Sequence, residues 1–153
     1  MHLTNTFTRR FQTRTTSSRA VPSTVTDTTS AAYSTLQERI EFLQRYVSFR
    51  RNYESLDFAI RFRNGGDGGL PSPSEWDIRL VAVVPESEIA AWIPAGATAS
   101  KEKPDVDWLK TVPTSLDLSG VDEWYVDARY VDNQQTVAVD RARRIVVYRN
   151  LVY

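Results

Sequence analysis

The chain has 153 residues, no cysteine and a single histidine, His2. Neither disulfides nor Cys/His zinc clusters can hold its fold together. A hydrophobic core has to supply the stability, and 4 Trp, 7 Tyr and 6 Phe can bury a large apolar area. The length allows one domain with a real core, or one such domain and a tail. The lack of cysteine leaves the compartment open, because many exported proteins also lack it.

The N-terminal arm, residues 1–33, differs from the rest in composition. It is rich in Ser and Thr. It contains four arginines and one aspartate, so its net charge is positive while that of the remainder is negative. Such a segment buries too little apolar surface to fold alone, and we expect a flexible arm. One alternative is a cleavable organellar leader, since these are Arg- and Ser-rich and Leu3, Phe7 and Phe11 stand at helical spacing. Another is an arm that docks along a partner.

The first regular element predicted is a long amphipathic helix over residues 35–52. Apolar side chains recur at i, i+4, i+7 and i+11, which indicates one buried stripe. The members of this stripe are Leu36, Ile40, Leu43 and Val47. Either Ser34 with Gln37 or Thr35 with Glu38 has the spacing of a capping box, which favours a helix start at this point.

Five segments have the pattern of strands: residues 56–63, 76–84, 124–131, 136–139 and 145–148. The first two are expected to pair antiparallel, with Arg61 and Arg63 near Asp77. Short helices are predicted at residues 85–93 and 105–112. The resulting fold class is α+β: a mainly antiparallel sheet of about five strands with one long helix on one face. The folded unit is a single domain over residues 34–153, and some parallel pairing beyond the second strand stays possible.

The glycine-rich segment, residues 64–75, does not have the context of a ligand site. It lacks the Gly-Lys-Ser/Thr of a phosphate-binding loop, and a strand rather than a helix follows it. Asn64 and Asp67 are too few for a calcium loop. We therefore interpret it as a hairpin connection, with contact to a partner as the functional alternative.

Candidate binding residues are sought among the polar side chains of the second half. Asp127 lies inside a predicted strand, on the face shared with Tyr125 and Arg129, and these three form a possible polar patch. Arg141 and Arg143 belong to a basic hairpin tip that is interleaved with aromatics, a pattern found in nucleic-acid sites. Neighbouring aspartates dilute that charge, so nucleic acid is not the expected ligand. The five candidates are Tyr125, Asp127, Arg129, Arg141 and Arg143.

The function expected from these observations is a non-catalytic protein-binding or assembly module. No catalytic residue, metal ligand or cofactor is predicted, because the histidine and cysteine on which common catalytic groups depend are missing. A carboxylate-based hydrolase or small-ligand enzyme is the alternative, and it requires two acidic groups converging in one cleft. The balanced charge of 19 basic and 19 acidic residues and the absence of a long apolar run indicate a soluble chain without a membrane span. A cytoplasmic location is slightly favoured over organellar import, and the oligomeric state is left open.

Overall fold

The protein folds around one antiparallel β-sheet of seven strands. A computed structural model describes residues 25–64, 74–130 and 132–153. The strands are β1 Val25–Thr29, β2 Ser55–Arg63, β3 Glu75–Val83, β4 Thr98–Ala99, β5 Glu123–Tyr130, β6 Asn133–Asp140 and β7 Ile145–Val152. Two α-helices, α1 Leu36–Leu43 and α2 Ile89–Trp92, and three 3-10 turns complete it. The strand order is β1-β2-β3-β7-β6-β5-β4, so the last strand lies between β3 and β6.

One face of the sheet, the aromatic face, carries the larger core. The side chains of Phe58, Leu80 and Tyr148 share this face because their residues are register partners across β2, β3 and β7. Phe42 of α1 stacks on Phe58 with ring centroids 5.6 Å apart, and Trp92 of α2 meets Tyr148 at 5.7 Å. Both helices therefore lie over this face and close its apolar surface to water.

On the opposite face the described residues form a smaller core, which covers part of the sheet. Val81, Ala138 and Val147 are buried there beneath Val112 and Val121, which come from the connection between β4 and β5. That connection includes the 3-10 turn Asp107–Thr111. Further along the same strands the side chains become charged, and this charged half is the surface on which the candidate site lies.

The expected long helix is wrong: α1 has 8 residues and ends at Leu43. After it the amide of Arg45 donates to the Phe42 carbonyl at 3.1 Å, a tighter bond than the i to i+4 bond of an α-helix. The chain then leaves the helical path, and Tyr46 and Phe49 pack edge-on against Trp76 and Trp92 at 5.4 Å. Burial of these aromatic rings against the sheet outweighs the helical periodicity of the segment.

The fold class is corrected accordingly from α+β with five strands to a mostly β architecture with seven. Strand β1 was not predicted and lies in the segment assigned to the arm, where it pairs with β2 from Val25↔Arg63 to Thr29↔Ala59. Strand β4 has only two residues, and β6 and β7 are longer than their apolar cores suggest because polar residues continue them. All pairings are antiparallel, including β2 with β3 as predicted, so the structure shows no parallel pair among its described strands.

Two predictions fall on residues outside the described ranges. They are the flexible arm and its leader alternative, for residues 1–24, and the glycine-rich connection, for residues 65–73. Among the helices that are described, none combines the length and apolar character needed to cross a bilayer.

Candidate binding face

A carboxylate shared by two arginines lies at the centre of the charged half-face. Arg149 donates from Nε to Oδ1 of Asp77 at 3.0 Å and from Nη2 to Oδ2 at 2.9 Å. Arg79 donates to Oδ2 of the same carboxylate from Nε at 3.0 Å and from Nη2 at 2.5 Å. The three side chains are largely shielded, with exposures of 10% for Asp77, 13% for Arg79 and 26% for Arg149. We call this group the Arg-Asp-Arg cluster.

Strand register explains why the cluster forms. Arg79 and Arg149 are direct partners across β3 and β7, and Asp77 precedes Arg79 by two residues, so all three side chains point to one face. Two adjacent like charges would repel each other, and the carboxylate of Asp77 beside both guanidiniums compensates for this repulsion.

Electrostatics fix the protonation state of the cluster. Burial opposes ionisation of Asp77, but the hydrogen bonds from Arg149 and Arg79 outweigh it and hold the pKa of Asp77 below its ordinary value. The same hydrogen bond raises the pKa of Arg149. Two guanidiniums and one carboxylate leave a net charge of about +1 on the cluster.

Two neighbouring residues set the position of the guanidiniums. Nη1 of Arg79 donates to Oγ1 of Thr111 at 2.7 Å, and that hydroxyl in turn donates to the Trp108 carbonyl at 2.6 Å. The guanidinium carbon of Arg149 lies 5.5 Å from the centre of the Trp108 ring, within cation–π range. The 3-10 turn Asp107–Thr111 thus braces both arginines from one side.

Two further ion pairs extend the charged surface toward the sheet edge. Arg61 contacts Asp27 through Nε at 2.8 Å and Nη2 at 3.2 Å, and Arg63 lies 3.8 Å from Glu75. We define the arginine face as the set Val25, Asp27, Arg61, Arg63, Glu75, Asp77, Arg79, Arg149, Leu151 and Tyr153. All of them lie on strands β1, β2, β3 and β7 or directly after β7.

Three cavities indent the arginine face and its border. The largest, about 330 Å³, is lined by Val25, Arg61, Arg63, Glu75, Trp76, Asp77, Leu151 and Tyr153. Another, about 220 Å³, lies beside Arg79 and Thr111, and a third of the same volume lies beside Arg149 and Trp108. Val25 and Tyr153, 55% and 52% exposed, are the most exposed large apolar side chains of the described chain, and both line the largest cavity. The face therefore combines a charged floor with an apolar rim.

The predicted site residues do not form one site. Asp127 and Arg129 pair through two bonds of 2.9 and 2.8 Å and line a cavity of about 160 Å³ with Pro94, Asn133 and Gln135. The bonds from Arg129 lower the pKa of Asp127. None of the predicted site residues lies on the arginine face.

The remaining candidates meet other carboxylates. Tyr125 and Arg141 converge on Glu123: the tyrosine hydroxyl donates to it, and Arg141 donates twice, at 2.9 and 2.8 Å. Arg143 donates from Nε to Asp140 at 2.6 Å, inside the hairpin turn between β6 and β7. The hairpin-tip arginines are thus engaged with neighbouring carboxylates.

The sequence did not indicate that Arg79 and Arg149 form a pair. The expected neighbourhood of Arg61 and Asp77 is present in the register, but Arg61 binds Asp27 while Asp77 binds the two arginines. The one available signal was the alternation Asp77-x-Arg79, which puts both side chains on one face of a strand. No local sequence pattern indicates that β7 is the neighbour of β3.

The described acidic groups form no metal-binding cluster, and the pKa shifts resolved among them are downward. No group of three or more possible ligands that would hold a metal ion occurs in residues 25–64, 74–130 and 132–153. Every aspartate and glutamate in these ranges whose pKa is shifted has it lowered, by hydrogen bonds to arginines, hydroxyls or backbone amides. A general acid instead needs a raised pKa.

Comparison with known proteins identifies no relative. Neither the family models, nor the curated proteins, nor the solved structures contain a match to this chain.

Proposed function

We propose that the protein is a non-catalytic binding module whose partner is another protein. The partner docks on the arginine face. The single observation that carries this proposal is the meeting of two exposed apolar side chains, Val25 and Tyr153, with Arg61 and Arg63 around one cavity of about 330 Å³. Tyrosine and arginine are the residues that protein interfaces favour, and apolar side chains this exposed lose contact with water when a partner covers them.

The partner segment we propose carries apolar and acidic side chains. The apolar part would cover Val25 and Tyr153. The acidic part is favoured by charge complementarity, because the arginine face has four arginines against three carboxylates, those of Asp27, Glu75 and Asp77. Such charges mainly set which partner binds and how fast it associates.

The hydrolase alternative gains no support from the described carboxylates. Glu75 and Asp77 both line the largest cavity, but Asp77 is held ionised by two arginines and Glu75 lies 3.8 Å from Arg63. Two groups that titrate apart from each other, one as acid and one as base, are what hydrolysis requires.

A random-peptide phage selection on the full chain tests the proposal. Selected peptides are measured against the wild type and against a double variant, Val25→Ser with Tyr153→Ser. A matched control, Ala95→Ser with Ala99→Ser, changes two exposed apolar residues outside the cavity to the same amino acid. We expect peptides of micromolar affinity for the wild type. They should bind the double variant at least about tenfold more weakly and the control variant with unchanged affinity, since anchor residues dominate interface energy.

Two results would contradict the proposal. One is a selection that yields no binding peptide after several rounds. The other is a set of peptides whose affinity is the same for the double variant and the control variant, because the binding surface would then lie elsewhere on the molecule.

A further inference from the structure

We propose that Arg149 anchors an acidic side chain of the partner, which enters the cavity beside Trp108. This inference rests on the proposed function and names the chemistry that the arginine face recognises. The ligand group is a carboxylate of an aspartate or glutamate in the docking segment.

The Arg-Asp-Arg cluster carries a net positive charge. Asp77 accepts one hydrogen bond on Oδ1 and three on Oδ2, so both of its oxygens are engaged by the two arginines. The three side chains of the cluster carry one excess positive charge although its arginines are only 13% and 26% exposed, and the nearby Asp105 offsets part of that charge. A positive charge that has lost most of its water is stabilised by an anion that donates nothing and accepts hydrogen bonds.

The two arginines differ in how many of their nitrogens have hydrogen-bond partners. Arg79 uses Nε and Nη2 on Asp77 and Nη1 on Thr111, so all three of its nitrogens have partners. Arg149 uses Nε and Nη2 on Asp77, and within the described structure its Nη1 donates to no residue. The bidentate grip on Asp77 fixes the plane of the guanidinium, so Nη1 is held in place before a ligand arrives.

Arg149 also lines a cavity. It measures about 220 Å³ and includes Arg149, Trp108, Gln134 and Thr136 in its lining. The amide of Gln134 and the hydroxyl of Thr136 are further donors for a carboxylate, and the apolar ring of Trp108 limits access of water. A cavity of this size accommodates one side chain rather than a folded element.

One lining residue repels a bound anion, so removing its charge should have the opposite effect on affinity to removing Arg149. Asp105 borders the same cavity, and its Oδ1 accepts from the amide of Asp107 at 3.0 Å. Its negative charge disfavours carboxylates at this position. Removing that charge is therefore expected to strengthen binding, which a merely structural role of the cluster does not predict.

The experiment measures anisotropy of fluorescein-labelled hexaglutamate with the full-length protein at low salt. Hexaglutamine is the neutral reference peptide. The variant Arg149→Gln removes the anchor while Arg79 still holds Asp77. The control Lys110→Gln removes the same charge from an exposed side chain that does not line the cavity. We expect Arg149→Gln to weaken hexaglutamate binding about tenfold or more, Lys110→Gln to change it less than about twofold, and Asp105→Asn to strengthen it severalfold.

Equal losses in Arg149→Gln and Lys110→Gln would overturn the inference, because binding would then depend on overall charge alone. Competition by millimolar inorganic phosphate with the same dependence on Arg149 would also overturn it, in favour of a small-anion site. If circular dichroism shows that Arg149→Gln is unfolded, Arg149→Lys keeps the charge, removes the bidentate geometry and should still lose several-fold in affinity. Selected peptides that need Tyr153 but are indifferent to Arg149→Gln would refute this inference and leave the proposed function standing.

Discussion

At the scale of the residue, Asp77 is the group on which the arginine face depends most. It neutralises Arg79 and Arg149, which are adjacent across two strands and shielded from solvent. Without its charge the two guanidiniums would repel each other where little water can screen them. Asp77 therefore links the stability of the sheet to the charge of the arginine face.

We predict that Asp77→Asn lowers the free energy of unfolding by about 3 kcal/mol at pH 7. The pKa of Asp77 is lowered in the folded state, so its contribution is complete above the unfolded pKa of about 3.9 and is lost as pH falls through the folded pKa. The difference between wild type and variant should thus shrink in acid, as measured by urea unfolding from pH 7 to pH 2.

The matched control for this measurement is Asp107→Asn, which removes an exposed carboxylate paired with Lys110 at 2.9 Å. Surface pairs of this kind contribute little, so its effect should stay below about 0.5 kcal/mol. An Asp77→Asn variant as stable as this control would show that the cluster does not stabilise the fold.

At the scale of the element, α1 is short and depends on its ends and its contacts. Eight residues are too few for a helix to be stable by propensity alone. A capping box closes its start: Thr35 Oγ1 accepts from the Glu38 amide at 3.2 Å, and Glu38 accepts from the Thr35 amide at 3.0 Å. Arg39 ties the helix to β2 through Asp57 at 2.7 Å and the Leu56 carbonyl at 3.0 Å.

We predict that Thr35→Ala costs about 1 kcal/mol of stability, because the Glu38 amide loses its acceptor. Thr35→Ser keeps the hydroxyl and should stay within about 0.3 kcal/mol of the wild type. Urea midpoints give the energies, and faster hydrogen exchange of the Glu38 amide locates the effect. An unchanged exchange rate in the alanine variant would argue against the capping box.

At the scale of the whole molecule, β1 decides where the folded unit begins. Its five residues pair with β2, and Ser30, fully buried just after it, accepts a hydrogen bond from the Phe58 amide at 3.0 Å. A unit that starts at residue 34 would leave β2 as an open edge and uncover Ile60, which is 3% exposed. The sheet therefore extends into the segment that composition assigns to the arm.

We predict that a chain of residues 34–153 is at least about 3 kcal/mol less stable than a chain of residues 25–153, since it loses a strand ladder and a buried hydrogen bond. Thermal and urea unfolding of the two chains, with the full chain as reference, provide the comparison. Equal midpoints would mean that β1 adds no stability and that the unit does begin near residue 34.

Local patterns determined much of the strand content and excluded much of the chemistry. Strand patterns predicted β2, β3 and β5, and capping-box spacing near residue 35 indicated where α1 begins. The absence of cysteine and of any histidine but His2 ruled out disulfides and the common nucleophilic triads. Each of these conclusions depends only on neighbouring residues or on composition.

The tertiary structure alone decided the length of α1, the presence of β1 and the position of β7 between β3 and β6. Aromatic residues after Leu43 fit a helix and a sheet contact equally well in sequence, and the buried area available on the sheet selected the second. Pairing between β3 and β7 brings Arg149 to Asp77 and Arg79, which lie about seventy residues earlier in the chain. Periodicity is a local property, whereas strand neighbours are chosen by the packing of the whole core, so the candidate site emerged only with the fold.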